Sequence, residues 1–213
     1  MTIRELYSLE HTLARPWLEK FTYPWEALEG LGKWLRQFGT TLEAYEELAP
    51  GLWVHPSAGI AQSAVLEAPC IIGPNSQLRP GVYIRGSVLV GSDCVVGNST
   101  ELKNAILFDG VQVPHFNYVG DSILGYKAHL GAGVICSNVR GDKGFVSVGG
   151  IPTGRKKVGA MVGDFGEIGC NTVLNPGSVI GKHSRIHPVS SVRGIVPANA
   201  IHKNNGTIQP RES

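Results

Sequence analysis

Residues 72–96 read IGPNSQLRPGVYIRGSVLVGSDCVV. Ile72, Leu78, Ile84, Val90 and Val96 stand six residues apart, and the small or β-branched Ser76, Val82, Val88 and Cys94 occupy the fourth place after the first four. The register extends back through Val54, Ile60 and Leu66 and forward through Leu102 and Phe108. In a chain that is 42% hydrophobic, ten such positions in a row arise by chance about twice in ten thousand per register. The period returns at Val162, Ile168, Leu174, Ile180, Ile186 and Val192. A repeat of six matches neither the 3.6 of a helix nor the 2 of a hairpin sheet. It fits a parallel β-helix in which three hexads form one triangular coil. The large aliphatic and the small residue fill the prism. Gly73, Gly91, Gly97, Gly125, Gly131, Gly163, Gly169 and Gly181 follow large aliphatics, at corners where a side chain would be a burden. Cys70 and Cys94 then read as core filler.

The register is interrupted twice. After Phe108 it calls for anchors at Pro114 and Gly120, but apolar anchors resume only at Leu124 and Leu130. That interruption holds HFNYVGDSILG (115–125), with His115 and Tyr118 three apart. The second runs from about Asn138 to Val158 and is rich in glycine; loops this long are functional or disordered.

Residues 1–51 follow a different rhythm. IRELYSLEHTLA (3–14) carries Leu6, Leu9 and Leu13 at helical spacing, and Pro16 ends it. PWEALEGLGKWLRQF (24–38) starts on a proline suited to a first helical turn and carries Trp25, Leu28, Leu31, Leu35 and Phe38. This stripe reads as a packing face. The expected organisation is a helical segment over 1–51, a β-helix over 52–196 and a tail over 197–213.

The formal net charge of +2 gives no argument for a nucleic-acid partner. No apolar run reaches 18 residues and the N-terminus lacks an apolar leader core, so a cytoplasmic protein without a membrane span is expected. Four separated cysteines make neither a zinc motif nor a disulfide framework. His183 and His187 lie in consecutive hexads on different faces, so no metal site is expected.

The hexads resemble those of left-handed β-helix acyltransferases. LKNAILFDGVQVPHFNYVGDSILGYKAHLGAGVICSN (102–138) is similar to the acetyltransferase domain of the bifunctional glucosamine-1-phosphate acetyltransferase/N-acetylglucosamine-1-phosphate uridylyltransferases. TGRKKVGAMVGDFGEIG (153–169) is similar to archaeal sugar-1-phosphate nucleotidylyltransferases. The resemblance implies an all-β, left-handed parallel β-helix with a short α-helical N-terminal segment, and an acetyl-CoA-dependent N-acetyltransferase of an amino-sugar 1-phosphate. It implies His115 as catalytic base and Tyr118 as a contact to the amino sugar. Arg79, Lys103, Asn138 and the loop residue Lys143 would hold the substrate, with His129 where relatives have an asparagine. Ala132, flanked by Gly131 and Gly133, would turn its backbone N–H to the thioester. Asp164 stands in place of a coenzyme-contacting serine, and Arg155 and Lys156 would meet coenzyme phosphates. Enzymes of this type are trimers with sites between prisms, so a homotrimer is expected. The glycine-rich start of a uridylyltransferase domain does not occur in this sequence, so no pyrophosphorylase activity is expected of it.

These residue types suit the chemistry. Histidine changes charge near neutrality and can take the proton released when an amine attacks a thioester. An amine needs no acyl-enzyme, so no cysteine has a catalytic role. A Gly-Ala-Gly turn allows a backbone N–H to approach a developing oxyanion. Two further readings stay open. One is a non-catalytic sugar-phosphate-binding or scaffolding subunit that docks to a separate nucleotidyltransferase through Trp17, Trp25 and Trp34. The other is a zinc enzyme of the γ-carbonic anhydrase type, although the GHxxxxxH element is missing.

Overall fold

A computed structural model describes residues 1–211. The fold is a left-handed parallel β-helix of about eight turns. Its first face is built from Leu52–Val54, Cys70–Ile72 and Val88–Val90, then the far halves of the bent strands Glu101–Leu107 and Tyr118–Leu124, then Met161–Val162, Val179–Ile180 and Ile195–Val196. The second runs from Gly59–Ile60 through Gln112–His115 to Ala200–His202. The third includes Val65–Glu67, Tyr83–Arg85 and the near halves of the same bent strands. Pairing follows the expected period: Leu52 meets Cys70, and Cys70 meets Val88. Three hexads therefore make one coil.

Between the strands, the backbone adopts the left-handed conformation at residues such as Asn75, Asp93, Ser99 and Asn171. The glycines that follow the large aliphatics serve another purpose. A Cβ on Gly73 would meet the backbone of Gly91, and one on Gly97 would overlap the backbone of Pro114. These positions are glycine because consecutive coils touch there.

Two sequence expectations are corrected. The long N-terminal helices are short pieces, Ile3–Leu6, Leu9–His11, Arg15–Leu18, Pro24–Leu28 and Leu31–Gly39. They are broken where Ser8 N–H donates to the Asp164 carboxylate (2.7 Å) and where Gly30 takes φ 74°. In addition, the solenoid crosses the boundary drawn at residue 196. Ile201 pairs with Arg185 on the second face, and Ala200–His202 then forms an antiparallel hairpin with Ile208–Pro210.

The N-terminal segment is a strap. Alternate residues of the first face point away from the prism, and Trp53, Ile71, Leu89, Ile106 and Ile123 form an outward apolar column that is buried all the same. The strap lies along this face. Tyr7 donates to the Ile123 carbonyl (3.3 Å), His11 stacks on Tyr126, Gly32 abuts Ser87 and Gly39 abuts Trp53. Trp25 and Trp34 are buried within it. The 138–158 insertion is folded rather than disordered. It carries the hairpin Ser147–Val148/Ile151–Pro152, and Val146 and Val148 pack beside Gly177.

Candidate active site at the shortened corners

The six-residue register fails one hexad earlier than the sequence suggested. Leu102 pairs with Ile84, yet Leu107, not Phe108, pairs with Val90. The corner between them has lost a residue: Arg85-Gly86-Ser87 in one coil becomes Lys103-Asn104 in the next. The same short corner recurs at Gly120-Asp121, since Leu102 pairs with Val119 and Leu107 with Leu124. Asn104 and Asp121 both adopt φ 47°. Their short polar side chains tolerate this left-handed conformation better than most.

The shift also corrects the place of His115. Val113 pairs with Val96 and His115 with Asn98, so the second face is continuous there and His115 ends an intact strand. The corner beyond it turns on Phe116, at φ 51°. Buried Asn117 fixes this corner. Its amide donates to the Gly131 carbonyl (2.8 Å), its oxygen accepts from His115 N–H (3.2 Å), and its own N–H donates to Thr100 Oγ1 (3.2 Å). The His115 carbonyl accepts from Gly133 N–H (3.0 Å). Ala132 therefore sits on the same edge one coil along, and its own N–H makes no hydrogen bond among the described residues. The His115 side chain is exposed. Arg79 lies on this edge about 10 Å away, two coil spacings in the other direction; among the described residues it has no ion-pair partner.

The shortened corners gather a second group. Asp121, 2% exposed, accepts hydrogen bonds from three side chains: Lys103 Nζ (3.3 Å), Asn104 Nδ2 (2.8 Å) and Asn138 Nδ2 (2.5 Å). Asn138 Nδ2 also donates to the Tyr118 hydroxyl at 3.2 Å. The ring reaches that point because a Cβ on Gly120 would occupy the space of the Tyr118 hydroxyl. Burial, followed by the charges of Asp121 and Glu101, raises the Tyr118 phenol above its ordinary value and keeps it protonated. Glu101 is itself paired with Arg85 at 2.7 Å.

Lys103, Tyr118 and Asn138 are thus brought together, while other sequence candidates lie elsewhere. His129 points outward from the second face and pairs with Glu167 at 2.9 Å. Lys143 sits in the exposed insertion, beside the Arg140–Asp142 pair. Arg155 pairs with Glu29 of the strap (3.3 Å), and Lys156 lies over the Phe145 ring. Asp164 is 1% exposed. It accepts from the N–H groups of Ser8 and Tyr126 and pairs with Lys182, so it anchors the strap. Among the described residues, no group of three or more histidines, cysteines or carboxylates is placed to hold a metal. Among the described residues no helix is long and apolar enough to cross a membrane.

The sequence reading missed Asp121 and Asn104. The signal was present in the five-residue intervals Leu102–Leu107 and Val119–Leu124, hidden because Phe108 kept the six-residue count intact.

The chain matches the family model described as GMPPB C-terminal domain over residues 68–150. It is 36% identical over 88 residues to a bifunctional sugar-1-phosphate nucleotidylyltransferase/acetyltransferase of Sulfurisphaera tokodaii, covering 39% of this chain and 22% of that protein. It is 30% identical over 148 residues to the bifunctional protein GlmU of Staphylococcus epidermidis, covering 70% of this chain and 30% of the relative. The chain thus spans between a fifth and a third of the length of these curated relatives. Among solved structures it is similar to PerB from Caulobacter crescentus in complex with CoA and GDP-perosamine. The TM-score is 0.40 at 18% identity, covering 73% of this chain and 56% of that one.

Proposed function

We propose that the chain is an acetyl-CoA-dependent N-acetyltransferase acting on an amino-sugar 1-phosphate, with His115 as general base. The observation that carries this reading is the meeting of Lys103, Tyr118 and Asn138 at the shortened corners. It combines a cation for a phosphate, a phenol for a sugar oxygen and an amide between them. The exposed His115 and Ala132 share the adjoining edge, which supports a division of labour. In the proposed reaction the substrate amine attacks the thioester carbonyl, the C–N bond forms, and the C–S bond breaks. His115 takes the proton from the amine and returns it to the departing thiolate, giving coenzyme A as the free thiol. The Ala132 N–H faces the oxyanion in between. Bound acetyl-CoA supplies the acetyl group.

The proposal extends to acetyl transfer alone. Assembly as a homotrimer, with Arg155 or Lys156 reaching a neighbouring prism's coenzyme and Lys143 the sugar phosphate, is part of the same reading; the mass in solution tests it. The test of the chemistry is a screen of acetyl-CoA turnover against amino-sugar 1-phosphates and UDP-amino sugars. Turnover should be selective for a sugar phosphate, and His115→Ala should lower it by about 10²–10⁴-fold. Full activity in that variant overturns the role of His115. The scaffolding alternative loses much of its support, because Trp25 and Trp34 are buried against the protein's own strap and core. It would be revived by a stoichiometric nucleotidyltransferase partner together with no acetyl-CoA consumption.

A further inference from the structure

We infer that Asp121 is a positioning residue whose buried carboxylate fixes Lys103 and orients the Asn138 amide, so that Tyr118 can only donate its hydroxyl proton to the bound sugar phosphate. The inference rests on the proposed acetyl transfer and adds a residue and a polarity to it.

An ionised carboxylate only accepts hydrogen bonds. Three donors converge on Asp121: Lys103 from the preceding coil, Asn104 beside it on the same corner, and Asn138 from the coil that follows. The Asn138 side chain must therefore face Asp121 with its NH2 group, because its carbonyl would meet the carboxylate oxygen head-on. With one N–H on Asp121, the other is directed at the Tyr118 oxygen. That oxygen is the acceptor in the pair, and among the described residues the tyrosine O–H has no acceptor of its own. Its proton is left for a ligand, and the ligand must offer an acceptor such as a phosphate or sugar oxygen. The same carboxylate holds Lys103 Nζ at the rim, where the lysine side chain is 26% exposed against 3% for its partner. The phosphate thus meets an ammonium group already in place, without the entropic cost of recruiting a free lysine. The device depends on the short corner: Asp121 reaches this position only because the Gly120-Asp121 turn omits a residue and takes φ 47°.

The informative variant is Asp121→Asn, which keeps size, shape and tolerance of the left-handed conformation. A carboxamide there has no negative charge: its single oxygen is left as a neutral acceptor for Lys103 and Asn138 and its NH2 group faces Asn104, so Lys103 is released and the Asn138 amide loses the charge that fixes its orientation toward Tyr118. Asp121→Asn should raise KM for the sugar phosphate about tenfold, the scale of one hydrogen bond to a charged ligand group. KM for acetyl-CoA should be unchanged. Tyr118→Phe should raise the same KM, and the double variant should add little to the larger single effect. A wild-type sugar-phosphate KM in folded Asp121→Asn, or additive effects in the double variant, overturns the inference. A second measurement needs no substrate. Lys103 should react with an N-hydroxysuccinimide ester at least threefold faster in Asp121→Asn than in wild type, read by peptide mass spectrometry with Lys20 as internal reference. Equal labelling overturns the anchoring of Lys103. If the wild type acetylates no amino-sugar 1-phosphate, the functional reading fails, and the labelling still decides whether Asp121 holds Lys103.

Discussion

At the scale of single residues, Gly97 shows what a close-wound solenoid demands. Its backbone conformation is open to any residue, yet a methyl group there has no room beside Pro114. Gly97→Ala should therefore cost about 1–3 kcal/mol or more, as overpacking does, seen as a lowered urea midpoint with an unchanged m-value. Thiol chemistry makes the same point about interior positions. Cys70, Cys94 and Cys136 are buried, whereas Cys170 is exposed. Burial pushes the thiols of Cys94 and Cys136 up to about 12 and raises that of Cys70 further. Iodoacetamide at pH 8 should modify Cys170 alone in the folded protein, and all four cysteines after denaturation. The interior places of Cys70 and Cys94 could be read directly from the six-residue register. The short corner of Asp121 is marked by the five-residue interval Val119–Leu124, but the burial of its carboxylate follows only from its three donors.

At the scale of elements, the outward column of the first face decides where the strap lies. Trp53, Ile71 and Leu89 recur every 18 residues, but Ile106 and Ile123 follow at 17, so counting by hexads alone loses the column after Leu89. The strap's docking face was thus partly legible and its broken helices were not, because Ser8 and Gly30 respond to tertiary partners rather than local propensity. Ile106→Ala removes a fully buried side chain from this seam and should destabilise the fold by about 2–5 kcal/mol, measured by denaturant unfolding. The C-terminal hairpin has a pH dependence of its own. Burial lowers the His202 imidazole below its ordinary value, His187 adds to the effect, and His202 Nδ1 finds no partner among the described residues. A depressed folded-state value means that the unfolded chain takes the proton first. Stability is therefore full above about pH 6.5 and declines as the pH falls toward the folded-state value. The melting temperature should drop more steeply between pH 7.5 and 5.5 in the wild type than in His202→Gln.

At the scale of the whole molecule, the strap runs against the direction of the coils. Leu6 and Ser8 meet Asp164, His11 meets Asp109, Gly32 meets Ser87 and Gly39 meets Trp53. Deleting residues 1–40 should expose the apolar column and yield a protein that binds a hydrophobic dye and self-associates on size exclusion. An ordinary solenoid behaves as a one-dimensional zipper: each coil touches only its neighbours, and ends can fray without the middle noticing. Here one covalent ribbon crosses from a late coil back to the first, so fraying that starts at the first coil must also peel away the ribbon that covers the middle. The array is thereby turned into one all-or-none unit. A single-molecule pulling trace should show one large rip rather than a staircase of coil-sized steps.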